Sequence, residues 1–265
     1  MYYDLERMTH DDVSAAIAAG TTTIILPVGA IEQHGYHCPM GMDSMVAELV
    51  GRQFAEKLGC FYAPVQKYGM SMNHKSFPGS MALTPTTLAL VVRDLIVGLA
   101  NHGFREIVVL NSHGGNTAAL GVGTREAKDL LGGDVLIANG RVSEAMRDSF
   151  SEIIGVEPGA MDPREFSGHG SVMEIALALL YDPTTVKPDN VVLAPIDKVI
   201  ANERSSVSVV TNIEAYSESG TFGSDTGAFD EGVGERLVDA AAEQLKRDFL
   251  QALEMFGHAR GVAAS

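Results

Sequence analysis

The chain has 265 residues, 46% of them hydrophobic, enough for one large α/β domain with a sizeable core. Its 19 Lys and Arg against 34 Asp and Glu leave a formal charge of -15, and no Lys/Arg run supplies a local basic patch, so a nucleic-acid partner is not expected. Every apolar segment is interrupted before bilayer length, and the opening MYYDLERMTHDD lacks a secretory pattern, so a cytoplasmic protein with no membrane partner is expected.

Residues 23–28, TIILPV, form an apolar run ending in Pro and Gly, the pattern of a buried strand that enters a loop. Asp43 and Ser44 then precede a helical pattern with Val46, Leu49, Val50, Phe54 and Leu58 on one broad face. Residues 60–65 read as a strand, and the Gly-rich polar stretch 69–81 as a surface or active-site loop. Thr84-Pro85 starts a helix whose apolar pattern reaches Leu99 and stops at His102-Gly103. Glu106 to Leu110 is the clearest parallel-strand candidate, followed by NSHGGN at 111–116 and a helix, with another strand at 135–138.

Further on, Gly168-His169-Gly170-Ser171 precedes a helix that holds Glu174, runs to Leu180 and ends at Asp182-Pro183. The Ser- and Val-rich stretch 205–211 reads as a strand, and 230–253 as the longest amphipathic helix. Between them, 212–229 is either a flap over a pocket or an ordinary connection. These repeated units imply a mostly parallel sheet covered by helices. With no charge break, long linker or internal repeat, residues 1–265 read as a single domain.

The segment ILPVGAIEQHGYHCPMGMD carries the clearest chemistry. Glu32 and His34 lie at the carboxyl end of a predicted strand, where open α/β folds place ligands, and in extended backbone their spacing points both side chains one way. A Gly/Pro-containing loop can fold Asp43 back against them. Imidazole with carboxylate suits Zn, Mn or Fe, and one carboxylate can bridge two cations. The competing readings are loop hydrogen bonding for the group and helix capping for Asp43. His113 follows the strand EIVVLN in a second end-of-strand loop, where Gly114 and Gly115 permit close approach and Asn111 and Asn116 either orient His113 or cap the next helix.

Glu174 on the opening turns of an apolar helix is costly if buried alone and sensible if it faces cations. His169, on a Gly-flanked loop, can move a proton near a reacting group or be a surface histidine. His37 in the first loop, and Asn73, His74 and Lys75 in the second, are candidates for the pocket or for support of the ligands. Tyr36 and Phe77 are pocket walls or local packing. The two cysteines, Cys38 and Cys60, form no disulfide framework; Cys60 is read as core, and Cys38 as packing ahead of a chemical role.

At LPVGAIEQHGYHCPMGMD (26–43), NHKSFPG (73–79), NSHGGN (111–116) and GHGSVMEIA (168–176) the sequence closely resembles the creatininase, or creatinine amidohydrolase, family. The resemblance implies a three-layer α/β/α sandwich, a homo-oligomer that is often a hexamer, and two divalent metal ions per subunit. It implies that Glu32 and His113 bind one ion and His34 the other, that Asp43 bridges them, that Glu174 is the remaining ligand ahead of its other assignment as a general base, and that His169 transfers a proton. Two departures from creatininase itself stand out: Gly115 replaces a metal-binding glutamate, and the chain has no Trp where that enzyme surrounds creatinine with tryptophans. Creatinine is therefore not the expected substrate.

The resemblance implies a hydrolase in which two cations lower the pKa of a bridging water for attack on the carbonyl of a small, polar, cyclic substrate. Cyclic amide or formamide hydrolysis is favoured over ring-opening C–C hydrolysis of an inositol-derived diketone. A metal-dependent sugar isomerase and a non-enzymatic metal-stabilised binding or scaffold protein are the alternatives from other classes.

Overall fold

A computed structural model describes residues 2–155, 168–223 and 230–263. Its five strands form one sheet in the order β1-β3-β2-β4-β5, with every pairing parallel. The strands are β1 (Tyr3–Asp4), β2 (Thr23–Val28), β3 (Phe61–Tyr62), β4 (Glu106–Asn111) and β5 (Leu136–Arg141). The helices of the described residues are α1 (His10–Ala18), α2 (Met42–Leu58), α3 (Pro85–Asn101), α4 (Thr117–Leu131), α5 (Val142–Ile154), α6 (Val172–Tyr181), α7 (Asp197–Arg204) and α8 (Glu231–Ala263).

Alternation along the strands divides the core into two layers. Ile24, Leu26 and Val28 of β2 and Ile107 and Val109 of β4 pack with Leu88, Val92 and Ile96 of α3 and Leu120 of α4. Ile25, Val108 and Leu110 face the other way, onto Val50 and Phe54 of α2, Met146 of α5, Ile175 of α6 and Leu237 of α8. The result is the expected α/β/α sandwich with a parallel central sheet.

The predicted helix at Thr84 is present with its cap: the Thr84 hydroxyl accepts from the Thr87 N–H at 3.1 Å, and Pro85 occupies the first turn. Two expectations need correction. The strand predicted at 60–65 is regular only at Phe61–Tyr62, with Gln66 bridging separately to Val28. The stretch 205–211 is not a strand, because no sheet edge lies beside it; Val207 and Val210 stand 77% and 100% exposed, and Val209 is held instead by the Asn202 amide.

Helices α1 and α5 lie outside the apolar patterns that mark α2, α3, α6 and α8. A signal for α1 was present in Thr9 and Asp12, which form a reciprocal capping box. Helix α5 leaves β5 with no intervening loop residue to mark its start. The last helix also runs ten residues beyond the predicted end at 253, to Ala263. The register of β2 on β4 positions the chemistry. Thr23 pairs with Glu106 and Val28 with Asn111, so the loops bearing Glu32, His34 and His113 leave the sheet side by side.

Candidate metal centre

The loop after β2 brings Glu32 and His34, each 0% exposed, against Asp43 in the first turn of α2. That helix begins at Met42 with Gly41 at its N-cap, so Asp43 does not cap it. Its carboxylate turns to the histidines, Oδ1 lying 3.9 Å from His34 Nε2 and Oδ2 3.5 Å from His113 Nδ1. Its backbone carbonyl accepts from the Ser112 hydroxyl at 2.7 Å, tying α2 to the loop after β4. Glu174, in the first turn of α6, places Oε1 3.5 Å from His34 Nε2, while its Oε2 accepts from the Gly170 N–H at 2.6 Å.

Two groups able to hold a cation thus share Asp43: Glu32, Asp43 and His113, and His34, Asp43 and Glu174. A third group, Glu32, His34 and His169, overlaps both. Glu32 Oε1 and Oε2, His34 Nε2 and Asp43 Oδ2 are buried without hydrogen-bond partners, an arrangement costing several kcal/mol on the order of magnitude for apolar burial. Cations bound to these atoms would remove that penalty, and the imidazole–carboxylate donor set suits Zn, Mn or Fe.

The outer nitrogens of the histidines support the same fit. His34 Nδ1 donates to the Glu32 carbonyl at 3.1 Å, and His113 Nε2 to the Met70 carbonyl at 3.1 Å. Since a carbonyl only accepts, each ring carries a hydrogen there, and its other nitrogen faces the carboxylates, available to a cation that displaces the second proton. His169 Nε2 likewise donates to the Gln33 carbonyl at 2.6 Å, leaving Nδ1 3.7 Å from Glu32 Oε1. An antiparallel bridge to Phe222 holds this residue, and its ring centroid lies 4.2 Å from that of His34 and 4.7 Å from that of His74.

Burial is the largest influence on the charges here, and it acts against every charged form. Around His34 it is outweighed by the Glu174, Asp43 and Glu32 carboxylates, which raise the imidazole to about 10. His113 is likewise raised to about 9, burial being outweighed by Asp43 and Glu32. Burial pushes Glu32 up to about 7 despite His113, whereas Asp43 is held low because His113 and His34 overcome the effect of burial. Glu174 is also lowered, its burial outweighed by His34. Burial and neighbouring imidazoles push His74 down to about 3 and His169 well below its ordinary value.

Among the expected supporting residues, His37 is buried and donates from Nε2 to the Gly170 carbonyl at 2.7 Å, pinning the turn that carries His169. His74 is buried with Nε2 3.4 Å from Glu32 Oε1. Asn116 does not cap α4 through its side chain; it laces the loops, donating to the Gly29 carbonyl and accepting from the Met70 N–H. Asn73 is part-buried, with Oδ1 enclosed and unpartnered. Lys75 is exposed and helps to lower the Glu214 carboxyl. Tyr36 is 60% exposed, and both cysteines are free and buried, in keeping with packing.

Gln33, between Glu32 and His34, carries no chemical signal in the sequence. Its amide is buried and bonds to His74 and to the Gly220 carbonyl. The departure at Gly115 has a structural reason: a side chain there would overlap the His113 ring and the Met70 carbonyl, and the carboxylate facing His34 comes from Glu174.

The creatininase family model, described as creatinine amidohydrolase, matches residues 6–249. Creatinine amidohydrolase of Pseudomonas putida is 32% identical over 201 residues, 71% of this chain and 75% of that protein. The mycofactocin precursor peptide peptidase of Mycolicibacterium smegmatis is 27% identical over 84% of each chain. A 3-dehydro-scyllo-inosose hydrolase of Thermotoga maritima is 35% identical over 92 residues, 34% of this chain and 30% of that protein. A crystal structure of creatininase superposes with a TM-score of 0.82 at 25% identity, covering 95% of this chain and 98% of the other, and solved creatininases include a manganese form and a mutant of zinc–zinc type. On sequence and fold together, the chain belongs to the creatininase family of metal-dependent hydrolases.

Proposed function

We propose that the protein hydrolyses a carbon–nitrogen bond next to the carbonyl of a small polar compound, at a centre of two divalent cations. Glu32, Asp43 and His113 would hold one ion, and His34, Asp43 and Glu174 the other. The observation that carries this reading is the pair of possible ligand groups sharing Asp43, with buried oxygens on Glu32 and Asp43 that accept no hydrogen bond. Bound there, Zn, Mn or Fe would supply Lewis acidity toward a carbonyl and lower the pKa of water.

The remaining steps belong to the chain's own residues. His169 carries its hydrogen on Nε2, committed to the Gln33 carbonyl, so Nδ1 accepts the proton released by water and returns it to the leaving nitrogen. His37 and the Gly170 N–H hold the turn and Glu174 in place around that histidine. Burial of Glu32 and His34 excludes bulk water, strengthening each electrostatic contact. The products are an acid and an amine. Amide cleavage is favoured over diketone opening because the two relatives aligning across most of the chain are named an amidohydrolase and a peptidase, while the inosose hydrolase aligns over about a third.

The test is to incubate metal-replete protein with lactams, formamides, short peptides and oxidised inositols, following product mass with and without chelator. Chelator-sensitive addition of water to an amide is expected. Water addition confined to the oxidised inositols would replace the amide reading, and a product of unchanged mass would replace hydrolysis with isomerisation.

A further inference from the structure

His34, His113 and His169 each face outward onto a backbone carbonyl, but His74 has the reverse arrangement. Its outer nitrogen, Nδ1, lies 3.0 Å from the side-chain nitrogen of Gln33. The orientation of that amide is forced: Gln33 Nε2 is 2.7 Å from the Gly220 carbonyl, which only accepts, and Gln33 Oε1 is 2.8 Å from the Gly35 N–H, which only donates. The amide nitrogen must therefore point at His74 with its second hydrogen, and His74 Nδ1 must be the bare, accepting nitrogen. The ring hydrogen consequently sits on Nε2, 3.4 Å from Glu32 Oε1.

We propose that His74 is a positioning residue, a neutral imidazole that aims an N–H at Glu32 and orients this carboxylate for its cation, with Gln33 setting the tautomer. This rests on the reading of Glu32 as a ligand. The ring cannot itself be a ligand in this tautomer, because its inward nitrogen has no lone pair to give. The 3.4 Å contact is long for a hydrogen bond, so the ring aims its N–H at the carboxylate without a formed bond in this structure. Gly220 belongs to the same device: it has a φ of +79°, and any side chain there would overlap the Gln33 amide. The segment 217–221, far from Glu32 in sequence, thus reaches the carboxylate through two side chains.

The proposal is tested without substrate. Nitrogen-15 NMR of histidine-labelled protein should show His74 hydrogenated on Nε2. In Gln33→Glu, whose carboxylate accepts where the amide donated, the hydrogen should move to Nδ1. Zinc affinity, measured by competition with a chromophoric chelator, should fall roughly 10–100-fold in His74→Phe. His74→Gln, which can return an N–H to the Nε2 position, should recover most of it, with both variants melting alike.

An Nδ1–H tautomer in the wild type, or equal losses in the Phe and Gln variants, would overturn the proposal. Should Gln33→Glu fail to fold, the His74 pair decides. Failure of the metal-centre reading looks different, since the wild type itself would then bind no zinc while its His74 tautomer remained measurable.

Discussion

The loops leaving β2 and β4 and the segment 182–223 both reach the acid and histidine cluster, but they contribute different things. The first two supply side chains: Glu32, His34 and Asp43 from one, His113 from the other. The later segment supplies backbone, the Gly220 carbonyl to Gln33 and the Phe222 bridge to His169. Side chains that meet within a few ångströms are carried by the loops leaving two paired parallel strands and by the first turns of α2 and α6. Backbone groups can serve from an irregular segment, since each residue brings the same donor and acceptor.

The most damaging way to break that difference is at the shared carboxylate. Asp43→Ala should lower bound divalent metal, read by elemental analysis, and reduce turnover by more than roughly 100-fold, the upper range for a residue that merely supports ligands. Chelation of the wild type should abolish turnover, and Zn or Mn should restore it. Asp43→Ala with full metal content and full activity would remove the distinction between the two regions.

Next in size is the sheet beneath the loops. Ile107, fully buried in β4, should cost about 2–5 kcal/mol on truncation to Ala, lowering the denaturant midpoint without changing the slope. Val210→Ala in the later segment, fully exposed, should stay within about 0.5 kcal/mol by the same measurement. Similar costs at the two positions would mean that the exposed run is buried in solution.

The smallest effect concerns α8 on α2. Lys57 contacts Asp239 at 2.8 Å and Glu243 at 2.7 Å, and its hydrogen bond holds the Asp239 carboxyl below its ordinary range. A depressed carboxylate stabilises the fold above its unfolded pKa and loses that contribution as pH falls through its folded value. Asp239→Asn should therefore be slightly less stable than wild type at neutral pH, and the gap should narrow as pH falls below about 3.9, where the unfolded carboxylate protonates, and close once the folded one protonates too. A gap that persists at pH 2 would assign the loss to packing.

The same contrast explains what could be read from the amino acids. That Glu32, His34, Asp43 and His113 come together was legible because each follows an apolar run or opens an amphipathic helix, and those periodicities fix the sheet and its flanking layers. The Ser/Val alternation at 205–211 has the same local appearance as a strand but no neighbouring edge, and local pattern carries no information about neighbours. Gln33 went unread for a different reason. An amide between two ligand-type residues gains a role only when Gly220, 187 positions away, and His74 fold onto it.

The pairing of Val28 with Asn111 has a consequence for how far the sequence can drift. Both loops depart from backbone hydrogen bonds that are indifferent to side-chain identity, so substitutions within the layers leave the spacing of the acids and histidines intact as long as volume is kept. A single-residue insertion or deletion inside β2 or β4 would instead shift one loop against the other by about 3.3 Å, nearly the span of a ligand pair. Substitution is therefore tolerated where a change of length is not, which is how a shared architecture survives at 25% identity with a TM-score of 0.82.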